Sequence, residues 1–438
     1  MFKKSNTILI IIFLIFDSVL LLLYSENIST IVMFLLLFTL LGFIVKEDKG
    51  MILLFYLIGV SVVVFFYTYW INFYGNSYFL GRKSDDWQYD VYWTKGFVEN
   101  YGVNLFKIDE HLNGVERGLG FLHNSKGYVG FVIVMRWFSC FFDGYHTLIP
   151  RVFNVFVLIL TAYYSSLIAF YYTNNKKVRR VVLFTVFFFP VMLFNSVHVF
   201  RDTIISFLLV ILFYTLLKNK YSIFTFLKII IFFFIMYYLR TSTFFVSFLM
   251  ILIMYINPKR VNFRFVVLGF IFFLIATVFL NNFVFNLTKQ ISSYGELNTE
   301  RFGRLGSGIF ELPLYIGALP RVIYMIFTPV PNFSGFHQIF VSITAFIQVF
   351  YFPYLFLGVK SFKIDFKLKL VFLLFFLGVA FSTATFRHVM MYIPFGIIIT
   401  TISYFNAKNA NVLFKHYFKL ILILFLLFIF SIMLAFVY

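Results

Sequence analysis

Asp85 and Asp86 stand side by side in the run Gly81-Arg82-Lys83-Ser84-Asp85-Asp86-Trp87-Gln88-Tyr89-Asp90. Paired carboxylates beside aromatic side chains suit sugar chemistry. One carboxylate can accept the proton of an attacking hydroxyl, and aromatic faces bind sugar rings. Asp86 and Asp90, at helical spacing, would share a helix face, which brings Asp90 into the same candidate site. The run also has a purely structural use. Ser84 is a good N-cap, and Asp85 and Asp86 then lie where the helix dipole favours acids.

A second set of residues is cationic. Arg151 opens an apolar run, Arg201-Asp202 follows Asn195-Ser196-Val197-His198, Arg240 lies in Tyr238-Leu239-Arg240-Thr241-Ser242, and Arg387-His388 follows Thr385-Phe386. Gathered around one cavity, these four guanidinium groups would give a diphosphate the bidentate donors it needs. As separate anchors they would simply snorkel to headgroups. His198, Asp202 and His388 are supporting candidates. Glu300-Arg301-Phe302-Gly303-Arg304-Leu305-Gly306-Ser307-Gly308 adds Arg301 and Arg304 on a segment whose glycines permit close backbone approach to a ligand. It lacks the Lys-Ser/Thr of a phosphate-binding loop. Thr328-Pro329-Val330-Pro331 breaks any helix there and fits a re-entrant turn. His111, His123 and His146 are scattered without an i,i+4 pair, and Cys140 is the single cysteine, so no metal site is expected.

These residues must be positioned by apolar helices. The chain has 438 residues, 62% apolar and 12% charged, with 70 Phe and 29 Tyr. A water-soluble globule of this size could not hide that surface, which excludes a soluble enzyme, a nucleic-acid-binding domain and a disordered chain. What remains is an all-α polytopic membrane protein. The apolar runs predict spans near 7–24, 28–45, 51–72, 147–172, 181–199, 203–217, 222–239, 241–257, 263–280, 337–359, 367–385, 388–405 and 418–437. That is about 13 membrane helices, within a range of roughly 11–14, in a single integral-membrane domain over 1–438. The pieces 128–142 and 319–331 are too short to cross and suit interfacial or re-entrant helices.

The net charge of +19 is explained by the tendency of cytoplasmic loops to collect Lys and Arg. With Lys3 and Lys4 inside, Lys46–Lys49, Lys176–Arg180, Lys218–Lys220, Lys259–Arg260, Lys360–Lys369 and Lys408–Lys419 all fall on the inner side. The N-terminus is therefore expected in the cytoplasm and the C-terminus outside. Two long outer loops result, 73–146 and 281–336, and loops of this length are usually functional. Most arginines fall outside and most lysines inside, although charge used only for sorting should not prefer Arg outside. Asp17 lies mid-span in the first helix, where it should face protein or water.

Taken in order, Asp85-Asp86 with a nearby Tyr, Gly127-Tyr128, Arg151 with Asn154, and Pro190 to Arg201-Asp202 resemble the front half of bacterial GT-C glycosyltransferases. The second half resembles the multispanning polymerases of surface-polysaccharide clusters, through Arg240, the Pro329-Val330-Pro331 turn, and Arg387-His388 before Pro394. The likeness spans roughly 80–395. The chain departs from the GT-C plan in having three spans, not one, before the Asp-Asp loop. The resemblance implies polyprenyl-linked saccharides as donor and acceptor, a reaction at the outer face of the inner membrane, and a chain-length regulator protein as partner. In the GT-C case it also implies a divalent cation. The expected task is polymerisation of undecaprenyl-diphosphate-linked repeat units of O-antigen or capsule, with the outer Arg residues on phosphate and Asp85 or Asp86 on the acceptor. The alternatives are a GT-C transferase adding one sugar and, from another class, a lipid-linked-sugar flippase or transporter.

Overall fold

The first helix, α1 (Phe2–Ser25), is built inside out. Ile8, Ile11, Ile12, Ile15, Val19 and Leu22 are exposed, whereas Asp17 is fully buried. Water would not tolerate that arrangement, but lipid does. The computed structural model describes residues 2–79, 85–115, 126–218, 222–255, 314–327, 335–360, 364–382 and 387–406, with a few positions between 419 and 426. Among the described residues every regular element is helical and none is a strand.

Among the described residues three helices are long and apolar enough to cross a membrane: Thr7–Ser25 within α1, α3 (Lys49–Tyr74) and α8 (Leu148–Thr173). Two bent pairs raise the number to five. Among the described residues the 13 expected spans are thus confirmed only in part, and part of the reason is physical. An apolar run says nothing of where the helix inside it breaks. The run 181–199 divides into α9 (Lys176–Phe188) and α10 (Pro190–Ser196), bent by 53°. Phe189 is pushed to extended backbone by the proline that follows it. Phe336–Lys360 bends by 41° ahead of Pro353. The run 388–405 opens with a tight turn, His388–Met391, and becomes a helix only at Ile393–Asn406. α2 (Ile28–Ile44), α11 (Asp202–Lys218) and α12 (Ile223–Leu239) have 17 residues each, about 26 Å at 1.5 Å per residue, a little short of a hydrocarbon core of about 30 Å. The expected span 263–280, nearly all of 418–437 and most of the loop 281–336 lie outside the described residues.

The chain sorts into two compact units, Met1–Leu167 with Leu183–Ser247, and Ile168–Val182 with Phe248–Tyr438. In the first unit α3, α8 and α9 meet at Gly59, where a Cβ would come within 2.5 Å of Val155 and 3.0 Å of Phe187, so only glycine allows this approach. Phe55 packs against the rings of Phe184, Phe187 and Phe188 beside it. Between α3 and α8 the described residues include four short α-helices: α4 (Asp85–Trp87), α5 (Phe97–Tyr101), α6 (Ile108–Val115) and α7 (Lys126–Ser139). α7 is short, as expected, and is pinned at both ends to helix termini. Gly127 lies against the backbone of Tyr238 near the end of α12. Beyond its other end, the Asp143 carboxylate accepts the first backbone N–H groups of α2, from Ile28 and Ser29. The second unit contains α13 (Thr241–Tyr255) from Phe248 onward, Leu314–Phe327, Phe336–Lys360, Phe366–Ser382 and Ile393–Asn406. Phe372, Phe376 and Tyr392 form its aromatic centre.

Candidate functional site

Immediately after α4 the chain widens into one π-helical turn, Gln88–Tyr92, closed by the Trp93 N–H on the Gln88 carbonyl at 3.0 Å. Such turns are rare and concentrate at functional sites. This one buries Tyr89 and Asp90 together. Asp86 is also fully buried, but its oxygens are committed to the loop itself. Oδ2 accepts the Phe79 N–H and Oδ1 the Trp87 N–H, both at 3.0 Å. Asp85 lies in the same turn of helix, and Ser84 lies outside the described residues.

Asp90 is the centre of a denser network. Its carboxylate accepts the hydroxyls of Tyr78, at 2.6 Å, and of Tyr145. Its backbone carbonyl accepts the Thr94 hydroxyl at 2.6 Å and an Arg136 N–H. Arg136 also donates to Thr94 Oγ1 at 2.9 Å and lies 4.0 Å above the Tyr145 ring. Burial, and then the neighbouring Asp90 charge, push both phenols up, so Tyr78 and Tyr145 stay protonated and act as donors.

Arg151 reaches the same cluster from the first turn of α8. It has no exposed surface. One guanidinium nitrogen donates to the Ser77 carbonyl at 2.5 Å, while Nε and NH1 have no partner. Its charge lies between the rings of Tyr67, at 5.8 Å, and Tyr78, at 5.6 Å. His146 completes this corner. Its Nδ1 accepts the Leu148 N–H at 3.2 Å and so caps α8, which leaves the proton on Nε2, 3.2 Å from the Tyr67 hydroxyl. Burial, and then the Arg151 charge, hold the imidazole down to about 4.

The loop after α10 closes the other side. Asn154 donates to the carbonyls of His198, at 2.7 Å, and Phe200, at 3.2 Å, tying the loop to α8. His198 has both ring nitrogens engaged. Nε2 accepts the Trp70 indole N–H at 2.9 Å, and Nδ1 therefore carries the proton, 2.7 Å from the Phe194 carbonyl. It is a neutral structural tie. Arg201 donates to the Leu239 carbonyl at 3.0 Å, at the end of α12, and lies 5.9 Å from the Tyr89 ring. Arg240 pairs with Asp202 at 3.3 Å, both largely buried.

Of the residues singled out from the sequence, the structure therefore brings together Asp86, Asp90, Arg151, His198, Arg201, Asp202 and Arg240 at one end of the first unit. Arg387 and His388 lie in the second unit, at the turn before Ile393–Asn406, with His388 buried. Arg301 and Arg304 lie outside the described residues. The sequence analysis did not single out Tyr78, Tyr145 or Arg136. An arginine inside a short, otherwise apolar helix was the one signal available for them.

Among the described residues no group of three or more His, Cys, Asp or Glu side chains is placed to hold a metal ion. The Asp86 oxygens face backbone N–H groups and those of Asp90 face phenols, a poor fit to the divalent cation that the GT-C likeness implies. No family model, curated protein or solved structure matches the chain.

Proposed function

We propose that the chain is a bacterial inner-membrane glycosyl-transfer protein that polymerises undecaprenyl-diphosphate-linked repeat units at the outer face, in O-antigen or capsule assembly. The observation that carries this reading is Arg151, a fully buried guanidinium with two donors unfilled, lying against the ring of Tyr78, whose hydroxyl donates to the buried Asp90 carboxylate. Leaving a buried donor unmade costs about 1–3 kcal/mol, and more when it is charged. The oxygens of a diphosphate would satisfy such donors, and Arg201 and Arg240 add positive charge at the same end of the unit. In the reaction, the acceptor hydroxyl oxygen attacks the anomeric carbon of the donor sugar. The bond from that carbon to the diphosphate oxygen breaks, and the diphosphate leaves with the electron pair. The arginines stabilise the charge that develops there. Asp90 takes the acceptor proton, held in place by Tyr78, Tyr145 and the Arg136 clamp, while Asp86 shapes the loop.

This reading keeps the N-terminus in the cytoplasm and the site outside. A transferase adding one sugar would use the same groups, and the test separates the two. In a deletion strain, lipopolysaccharide carrying a single repeat unit supports polymerisation. A normal ladder with altered serotype means a side-branch transferase, and an unchanged ladder overturns both.

A further inference from the structure

Asp17 lies within α1, and the glycosyl-transfer reading makes no use of it. None of its surface is exposed. Oδ1 accepts the hydroxyl of Ser61, on α3, at 2.7 Å, and Oδ2 has no partner. Tyr56, five positions earlier on α3, is also fully buried, and its hydroxyl has no partner either. The surroundings are apolar, with Tyr56 stacked on Phe34 of α2 at 6.0 Å. α1 packs against α2 and α3. α2 has no charged residue, and α3 has one, Lys49, at its first position. Among the described residues no cation forms an ion pair with Asp17.

A carboxylate placed so would keep its full desolvation cost with no opposite charge to offset it. A single protein hydroxyl does not compensate. The smallest species that neutralises the group without room for a hydration shell is a proton. Asp17 Oδ2 and the Tyr56 hydroxyl are both left unmade in this buried part of the bundle, so a proton on the carboxyl removes the charge without requiring any other partner.

We propose that Asp17 is a proton-binding site inside the helix bundle, taking up and releasing one proton while the fold stays intact. The site is independent of the Arg151–Asp90 cluster and stands whether or not that cluster transfers sugars. It makes the packing of α1 on α3 responsive to proton concentration.

The test uses full-length protein in lipid nanodiscs and dicyclohexylcarbodiimide, an apolar reagent that captures protonated carboxyls in apolar surroundings. Labelling of the α1 peptide is read by mass spectrometry between about pH 5 and pH 9, in potassium and in sodium buffers. The expected result is an adduct on Asp17 that falls about tenfold or more as pH rises, as for any single titrating carboxyl. It should be the same in both buffers and absent from D17N. The pH series is read on the wild-type chain, so the result does not depend on how well D17N folds. An adduct independent of pH would mean a permanently neutral structural group. Protection by sodium would mean a metal-cation site, and no adduct at any pH would mean a fixed charge. Each of these three outcomes overturns the proposal.

Discussion

Acid should loosen the N-terminal end of α8 through His146. The imidazole accepts the Leu148 N–H on Nδ1, and a second proton would have to displace that cap. It would also place a positive charge beside Arg151, although Asp90 partly favours it. In the unfolded chain the group returns to about 6.5, against about 4 in the fold. The folded value is the lower one, so the unfolded state binds the extra proton. The stability that His146 contributes is therefore complete above about pH 6.5 and is lost as pH falls from there toward 4. Within this window the slope is at most about 1.4 kcal/mol per pH unit. A difference of about 2.5 pH units would give roughly 3 kcal/mol, and residual solvent access reduces it to about 2–3 kcal/mol. The assay is unfolding in mixed micelles at several pH values between 7.5 and 4, for wild type and H146Q. Gln offers an oxygen to the same N–H but does not titrate. Wild type should lose about 2–3 kcal/mol more than H146Q across this range. Parallel pH profiles for the two proteins would refute the neutral-cap argument.

W70F removes the indole donor from His198 Nε2 and strands a buried acceptor, so the protein should lose about 1–3 kcal/mol in the same unfolding assay; an unchanged midpoint would refute the assigned tautomer. G59A forces a methyl group against Val155 and Phe187 and should cost about 1–3 kcal/mol, read the same way. Reporter fusions at Lys176–Arg180 should report cytoplasm and a fusion at Gly102 the outer side; a cytoplasmic report at Gly102 overturns the orientation. D90N should abolish polymer in cells at matched membrane abundance, whereas D86N should lower that abundance through the loop. A wild-type ladder from D90N removes Asp90 from the chemistry.

The legible parts of the fold were those in which one property accumulates over many residues. The long apolar helices α1, α3 and α8, and the shortness of α7, follow from run length and hydropathy alone. The break at Phe189-Pro190 was written in the sequence as a proline, but the apolar run passes straight over it, and only the backbone cost of the residue before proline cuts the helix. In the site, Arg201, Arg240 and Asp202 could be grouped because each ends an apolar run on the same expected side. The partners of Asp90 could not. Tyr78, Arg136 and Tyr145 come from separate segments with no periodicity linking them to Asp90, so only tertiary packing joins them.

The two acids meet different donors, although their spacing alone would set them on one helix face. Asp86 and Asp90 are four positions apart, and an α-helix would present both to one ligand. The π turn at Gln88–Tyr92 changes the register between them. Asp86 is left to accept backbone N–H groups from Phe79 and Trp87, while Asp90 turns toward two phenols. The donors differ in what they permit. Backbone N–H groups cannot rotate away, so a carboxylate held by them is a fixed strut. Phenol hydroxyls can rotate and leave lone pairs free to meet another hydrogen-bonding partner, so the carboxylate they hold is the one that can exchange a partner during a reaction. Burial favours neither acid, since both have no exposed surface. The donors differ in kind, and this difference is why the proposed reading gives the acceptor proton to Asp90.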